Sequence, residues 1–245
     1  MSKEAGKNQA GATRESVFYN VQHGPLPALL LGLTILTGVV DAISILSLGR
    51  VFVANMTGNV VFIGLAIAHA PGFALGASFV ALAGFLIGAA LGGWLHSRYG
   101  KDRGILFAIS CSTELLLIVA SLIIALCLSH PTIGGGRYCL SAILAVMMGI
   151  QNAVARRLAV PDMTTTVLTM TLTGIAADVR QSGWLSIQLG RRFLAVGGML
   201  VGALAGGELV IRRSATAALI LATLVMLVVA IGAAAAIRKS SEWRT

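Results

Sequence analysis

The sequence carries little charge. Only 11% of its 245 residues are Asp, Glu, Lys or Arg, against about 25% in an ordinary soluble domain. That excludes a water-facing globule, because too few polar side chains remain to cover one. Acids are scarcest, 9 against 18 Lys and Arg, for a net charge of +9. The basic residues lie between apolar blocks without interleaved aromatics, so they read as orientation-setting loops and no nucleic-acid partner is expected. The three cysteines, Cys111, Cys127 and Cys139, show no metal-ligand spacing and read as small buried hydrophobes. The five prolines, Pro25, Pro27, Pro71, Pro131 and Pro161, all fall at or beside block edges, where a missing N–H costs least.

Catalytic patterns are also lacking. There is no HExxH, GxSxG, P-loop or dinucleotide fingerprint. The four histidines, His23, His69, His96 and His130, sit at segment edges with no metal-site spacing. No enzyme activity, catalytic residue, metal site or cofactor is expected. Residues 1–24 have neither the apolar core nor the cleavage site of a signal peptide and read as a disordered cytoplasmic tail.

What the chain does have is apolar length: 57% hydrophobic residues and a mean hydropathy of +0.90. Eight blocks stand out. Segment A is Leu26–Leu48, B is Val51–Ala70, C is Ala74–Leu95 and D is Gly104–Ser129. E is Tyr138–Leu158, F is Met163–Asp178, G is Phe193–Ile211 and H is Ala215–Ile237. A helix needs about 20 apolar residues to cross a bilayer. A, C, D, E, G and H satisfy this, whereas B and F are short and polar.

The blocks repeat in order. GFLIGAALGG in C matches GMLVGALAGG in G, and GVVDA in A matches GIQNA in E. Polar B and polar F follow at corresponding places. Gly84, Gly88 and Gly92, with Gly198, Gly202 and Gly206, form rows that let helix backbones approach closely. The first repeat is residues 25–129, the second 137–237, and 238–245 is a C-terminal tail.

Charge placement bears on the number of crossings. If all eight blocks cross, the 18 basic residues divide almost evenly. If B and F enter the bilayer and return to their own side, only Arg50, Arg137, Arg212 and Arg213 lie outside. The positive-inside rule favours the second arrangement. The expectation is an all-α integral membrane protein with six transmembrane helices and two broken or re-entrant segments; eight crossings is the alternative. The corresponding location is the cytoplasmic (inner) membrane, with both termini cytoplasmic. Three crossings per repeat invert one half relative to the other, an architecture shared by many secondary transporters.

Ionisable residues inside the bilayer are costly, about 2.5–3.5 kcal/mol for an Asp at a helix centre. Asp41 lies roughly 10 Å from the end of A at helical rise; Asn55 or Asn59 could satisfy it, holding B in place. Glu114 is near the centre of D, four residues after Ser110, and marks a second polar site. Gln151 and Asn152 occupy the corresponding place in E. F carries a run of threonines that could simply back-bond in a bent helix. Asp178 with Arg180 marks either a site or a boundary, and Glu208 with Arg212 reads as an interfacial ion pair.

GVVDAISILSLGRVFVANMTGNVVFIG (38–64) and GIQNAVARRLAVPDMTTTVLTMTLTGIAAD (149–178) resemble the two signature stretches of the YoaK-like family. This bacterial membrane family is classed as a domain of unknown function, and the resemblance covers roughly residues 25–237. It implies six spans, brings no substrate, and carries over the polar positions Asp41, Asn55, Thr57, Asn59, Gln151, Asn152, Thr165, Thr166, Thr169 and Asp178. Two functions are expected to compete. One is a transporter or channel for a small molecule or ion, with these residues as its polar site. The other is a non-transporting scaffold whose glycine faces dock a second copy or another protein.

Overall fold

Lipid offers no hydrogen bonds, so each apolar block must satisfy its own backbone, and helices do so. The computed structural model describes residues 18, 23–128, 130–160, 168–182, 187–239 and 243. Its helices are α1 (Leu26–Ser47), α2 (Met56–Ile67), α3 (Leu75–Tyr99), α4 (Arg103–Cys127), α5 (Gly134–Leu158), α6 (Leu168–Ser182), α7 (Ile187–Arg212) and α8 (Ala215–Lys239). No strand occurs among the described residues. Six of the helices are long and apolar enough to cross a membrane, and α2 and α6 are the short ones. Side chains cap two tight turns: Asp102 accepts from the Ile105 amide at 2.9 Å, and Ser214 from the Ala217 amide at 3.1 Å. Helix α5 starts at Gly134, four residues before segment E, and so takes Arg137 into its first turn.

The two halves exchange helices. Helix α1 packs chiefly on α7 of the other repeat, and α3 on α5. Helix α4 packs on α8, and α1 touches α5. Swapping corresponding helices between the repeats leaves this set of pairs unchanged, which is the signature of an internal pseudo-two-fold axis. Helices α1 and α5 are central, each with 61% of its apolar window buried, whereas the other four spans bury 22–33%.

The glycine rows make this exchange close. Gly38 on α1 lies against the backbone of Met199, Gly202 and Ala203. Its counterpart Gly149 on α5 lies against Phe85, Gly88 and Ala89. Gly84 and Gly92 abut α5 at Ala142 and Ile150; Gly198 meets Leu31 and Gly206 meets Val39 on α1. These faces are therefore filled from within the chain.

Helix ends fix the direction of each span. On one face, the Arg103 guanidinium donates to the Leu158 carbonyl and to His23 Nδ1 at 2.9 Å. The starts of α1 and α4 thus meet the end of α5. Burial and the charges of Arg103 and Arg191 push the His23 pKa below its ordinary 6.5, which keeps Nδ1 free to accept. Trp243 packs under Gly24 on the same face. On the far face, Arg137 at the start of α5 reaches Gly49, just past the end of α1. A cavity of about 370 Å³ there joins Ser47, Leu128, Pro131 and Ser214. Helices α1 and α5 therefore run antiparallel, so the repeats are inverted; eight crossings would make them parallel.

Two expectations need correction. Cys127 and Cys139 are exposed, and only Cys111 is buried, because a lipid-facing surface accepts apolar side chains as readily as a core does. Asp41 is not held by Asn55 or Asn59, as described below. The Glu208–Arg212 ion pair is present, with both residues exposed.

A methyl group added at Gly88 or Gly202 would overlap the carbonyl oxygen of Val146 or Ile35. Gly88→Ala and Gly202→Ala are each expected to destabilise the protein by about 1–3 kcal/mol, the cost of overpacking. Gly93→Ala, with nothing within 4 Å of the new group, should leave the thermal midpoint in detergent unchanged or slightly raised.

Candidate functional site

Helix α1 carries one polar stripe. Thr34, Thr37, Asp41 and Ser44 recur at helical spacing and are all buried. Thr34 and Thr37 donate to the Leu30 and Leu33 carbonyls at 2.9 and 2.8 Å, and Ser44 to the Asp41 carbonyl at 3.0 Å. Each hydroxyl is thereby satisfied within the helix, and only the Asp41 carboxyl must look outward.

Its partner comes from the re-entrant segment. After α1 the chain turns at Gly49 and Arg50, both at positive φ (101° and 57°). It then runs back into the bilayer as an arm with Val51, Val53 and Ala54 buried. The Ala54 amide donates to Asp41 Oδ1 at 3.3 Å. Asp41 lies about 9 Å below the end of α1 at helical rise, so the arm descends well below the far face. Helix α2 then returns: a methyl group at Gly72 would lie 3.3 Å from Arg50 Nη1, placing both ends of the segment together. Twelve residues span about 18 Å, too short for a hydrocarbon core of about 30 Å.

A non-helical arm inside a bilayer must have its amides answered. Asn59 does this. Its Oδ1 accepts from the Phe52 amide at 2.9 Å and its Nδ2 donates to the Phe52 carbonyl at 2.5 Å. The side chain thus stands in for a neighbouring strand, and Asn59 is fully buried. It positions the arm rather than offering itself to a ligand.

From the other repeat, Gln151 on α5 donates through Nε2 to Thr37 Oγ1 at 3.0 Å. Thr37 and Asp41 are one turn apart on the same face of α1. Two buried acceptors, Asp41 Oδ2 and Gln151 Oε1, have no hydrogen-bond partner. Orphaned buried oxygens are costly, and here one comes from each repeat, on Asp41 and on the Gln151 that grips Thr37 one turn away.

The other sequence-selected residues lie elsewhere. Asn55 and Thr57 are exposed at the start of α2, where Asn55 makes no side-chain cap. Asn152 is half-buried and donates back to the Met148 carbonyl at 2.8 Å. Thr169 is exposed on α6, and its carbonyl accepts the Thr173 hydroxyl at 2.8 Å, the back-bonding anticipated for that run. Thr165, Thr166 and the Asp178 side chain lie outside the described residues. Glu114 is buried on α4, with Ser110 donating to Oε1 at 2.7 Å and Oε2 unpartnered. Sequence reasoning missed Thr37, although its place one turn from Asp41 was a readable signal. It also missed the phenylalanines at the far-face mouth, Phe52, Phe62 and Phe73, three of the chain's eight.

Residues 29–232 match the family described as a protein of unknown function (DUF1275). The chain belongs to that family. It is 36% identical over 151 residues to the UPF0700 transmembrane protein YoaK of Bacillus subtilis (strain 168), an alignment covering 61% of this chain and 66% of that protein. The chain thus spans slightly under two thirds of the length of this curated relative. No solved structure matches. With six apolar helices long enough to span and a relative named as a transmembrane protein, this member of the family is a multi-pass transmembrane protein.

Asn59→Leu removes both bonds to Phe52. A loss of about 1–3 kcal/mol is expected, the cost of unsatisfied buried backbone groups. Proteolysis or hydrogen exchange should show the loss as opening of residues 51–55 ahead of the long helices. Uniform unfolding instead would mean that the arm has no independent dependence on this side chain.

Proposed function

We propose that the protein is a transporter or channel for a small molecule or ion, with its polar site where α1, the arm and α5 meet. One observation carries the reading: the buried, unpartnered oxygens of Asp41 and Gln151, contributed by opposite repeats. An ionised carboxyl with one bare oxygen is expensive in a low-dielectric interior. A proton or a cation on Asp41 removes that cost, and the Gln151 oxygen supplies a neutral ligand beside it. Inverted repeats make such a site reachable from either side by rocking one half against the other. No catalytic step or cofactor is part of this reading. In this reading the second repeat contributes Gln151 directly; Asn152, Thr165, Thr166, Thr169 and Asp178 of that repeat, with Asn55 and Thr57 of the first, are proposed only as further polar positions that a solute would meet on its way to the site.

In proteoliposomes loaded with a pH-sensitive dye, imposed gradients of small ions and organic acids should drive proton or solute movement. Asp41→Asn should lower it about tenfold or more, equivalent to about 1.4 kcal/mol or more, with the thermal midpoint retained. Equal flux through the variant would remove Asp41 from the pathway.

The same reading places the protein in the cytoplasmic membrane with the His23–Arg103 face inside, since most basic residues then lie on the cytoplasmic side. In a background without Cys111, Cys127 and Cys139, a cysteine at Lys101 should be blocked only by membrane-permeant reagents in whole cells. One at Arg213 should react with impermeant ones. The reverse pattern would turn the protein over.

A further inference from the structure

The re-entrant segment leaves a second feature that the Asp41 site does not use. Between the end of α1, the arm and α2 lies an open cavity of about 610 Å³, lined by Ile45, Leu46, Ser47, Gly49, Arg50 and three phenylalanines. Phe52 and Phe62 stack with centroids 5.8 Å apart, and Phe62 and Phe73 meet at 5.2 Å. The volume falls in the range of about 300–1,000 Å³ that holds small organic ligands.

Its charge has one sign. Among the described residues that line it, Arg50 alone is ionisable. A second guanidinium stands close by: a methyl group at Gly49 would lie 3.5 Å from Arg137 Nη1. Arg137 lies over the Tyr138 ring at 5.1 Å, and its Nε is buried without a hydrogen-bond partner. The acid described near that face, Glu208, is already paired with Arg212. Arg50 is also held at φ 57°, a conformation costly for a side-chain-bearing residue and concentrated at functional sites. An anionic head is what two guanidiniums without a carboxylate recognise, and an apolar or aromatic body is what the phenylalanine wall accepts.

We infer that this mouth is a binding site for an amphipathic anion, a carboxylate or phosphate head on an apolar or aromatic body, with the head at Arg50 and the body against Phe52, Phe62 and Phe73. The ligand's onward passage past Asp41 rests on the transport reading above; the binding does not. Two sources share this chemistry, a free organic acid and an anionic phospholipid.

The test is equilibrium binding of radiolabelled 4-phenylbutyrate to the full-length protein in phosphatidylcholine nanodiscs. Saturable binding is expected, competed by unlabelled phenylbutyrate and not by the uncharged alcohol 4-phenylbutanol. Arg50→Gln should weaken it about tenfold or more, and Arg50→Lys less. Phe62→Ala should weaken it as well, with the alcohol still failing to compete. Displacement by phosphatidylglycerol added to the nanodiscs would identify the lipid as occupant, and binding that persists beside it would identify the free acid; either supports the site. Equal binding by wild type and Arg50→Gln, at matched thermal midpoints, would overturn it, as would equal affinity for the acid and the alcohol. A protein that binds in this way yet shows no flux would end the transport reading and leave this site standing.

Discussion

Backbone-to-backbone contact between the repeats is the constraint on which everything else rests. Helices in lipid gain little from burying apolar surface against each other, so close van der Waals approach must hold them. Gly38 facing Gly202 and Gly149 facing Gly88 provide that approach, once in each repeat. The pairs join α1 to α7 and α3 to α5, and so bind each half to the other. With those helices exchanged, α1 and α5 are forced to the centre, and the side chains they share face protein instead of lipid. That is why Asp41, Thr37 and Gln151 can be polar at all.

The arm is the second consequence of burial without water. The non-helical backbone of residues 51–55 at membrane depth would be prohibitively costly if lipid surrounded it. Asn59 answers Phe52 and Asp41 answers Ala54, so one polar side chain of segment B and one of segment A serve the arm's backbone first. The second oxygen of Asp41 is what remains after that service, buried and without a hydrogen-bond partner. Structure and candidate site thus draw on the same carboxyl: one oxygen holds the arm and the other is left unpartnered.

Much of this was legible in the sequence, for physical reasons that differ from residue to residue. Spans were visible because lipid demands uninterrupted apolar length, and Pro71 and Pro131 mark real breaks between helices. Inversion was visible because charge near membrane surfaces is biased and because the Gly38 and Gly149 motifs repeat. Which apolar residues are buried was not visible. Apolar side chains suit both the core and the lipid face, so Cys127 and Cys139 read as buried although they are exposed. Side-chain geometry was equally hidden: nothing in the spelling of segment B says that Asn59 grips Phe52 or that Asn55 faces outward. Partners seven residues apart along a re-entrant loop carry no periodic signal.

The exchange of helices also governs how the chain is made. Helix α1 emerges from the ribosome first, but the α7 surface that covers Gly38 lies about 160 residues downstream. At about 5–20 residues per second, α1 waits on the order of ten to thirty seconds with its glycine groove bare. During that interval the groove is covered by lipid or by helices other than its native partner. Neither half completes itself, so the first helix made is among the last to be seated.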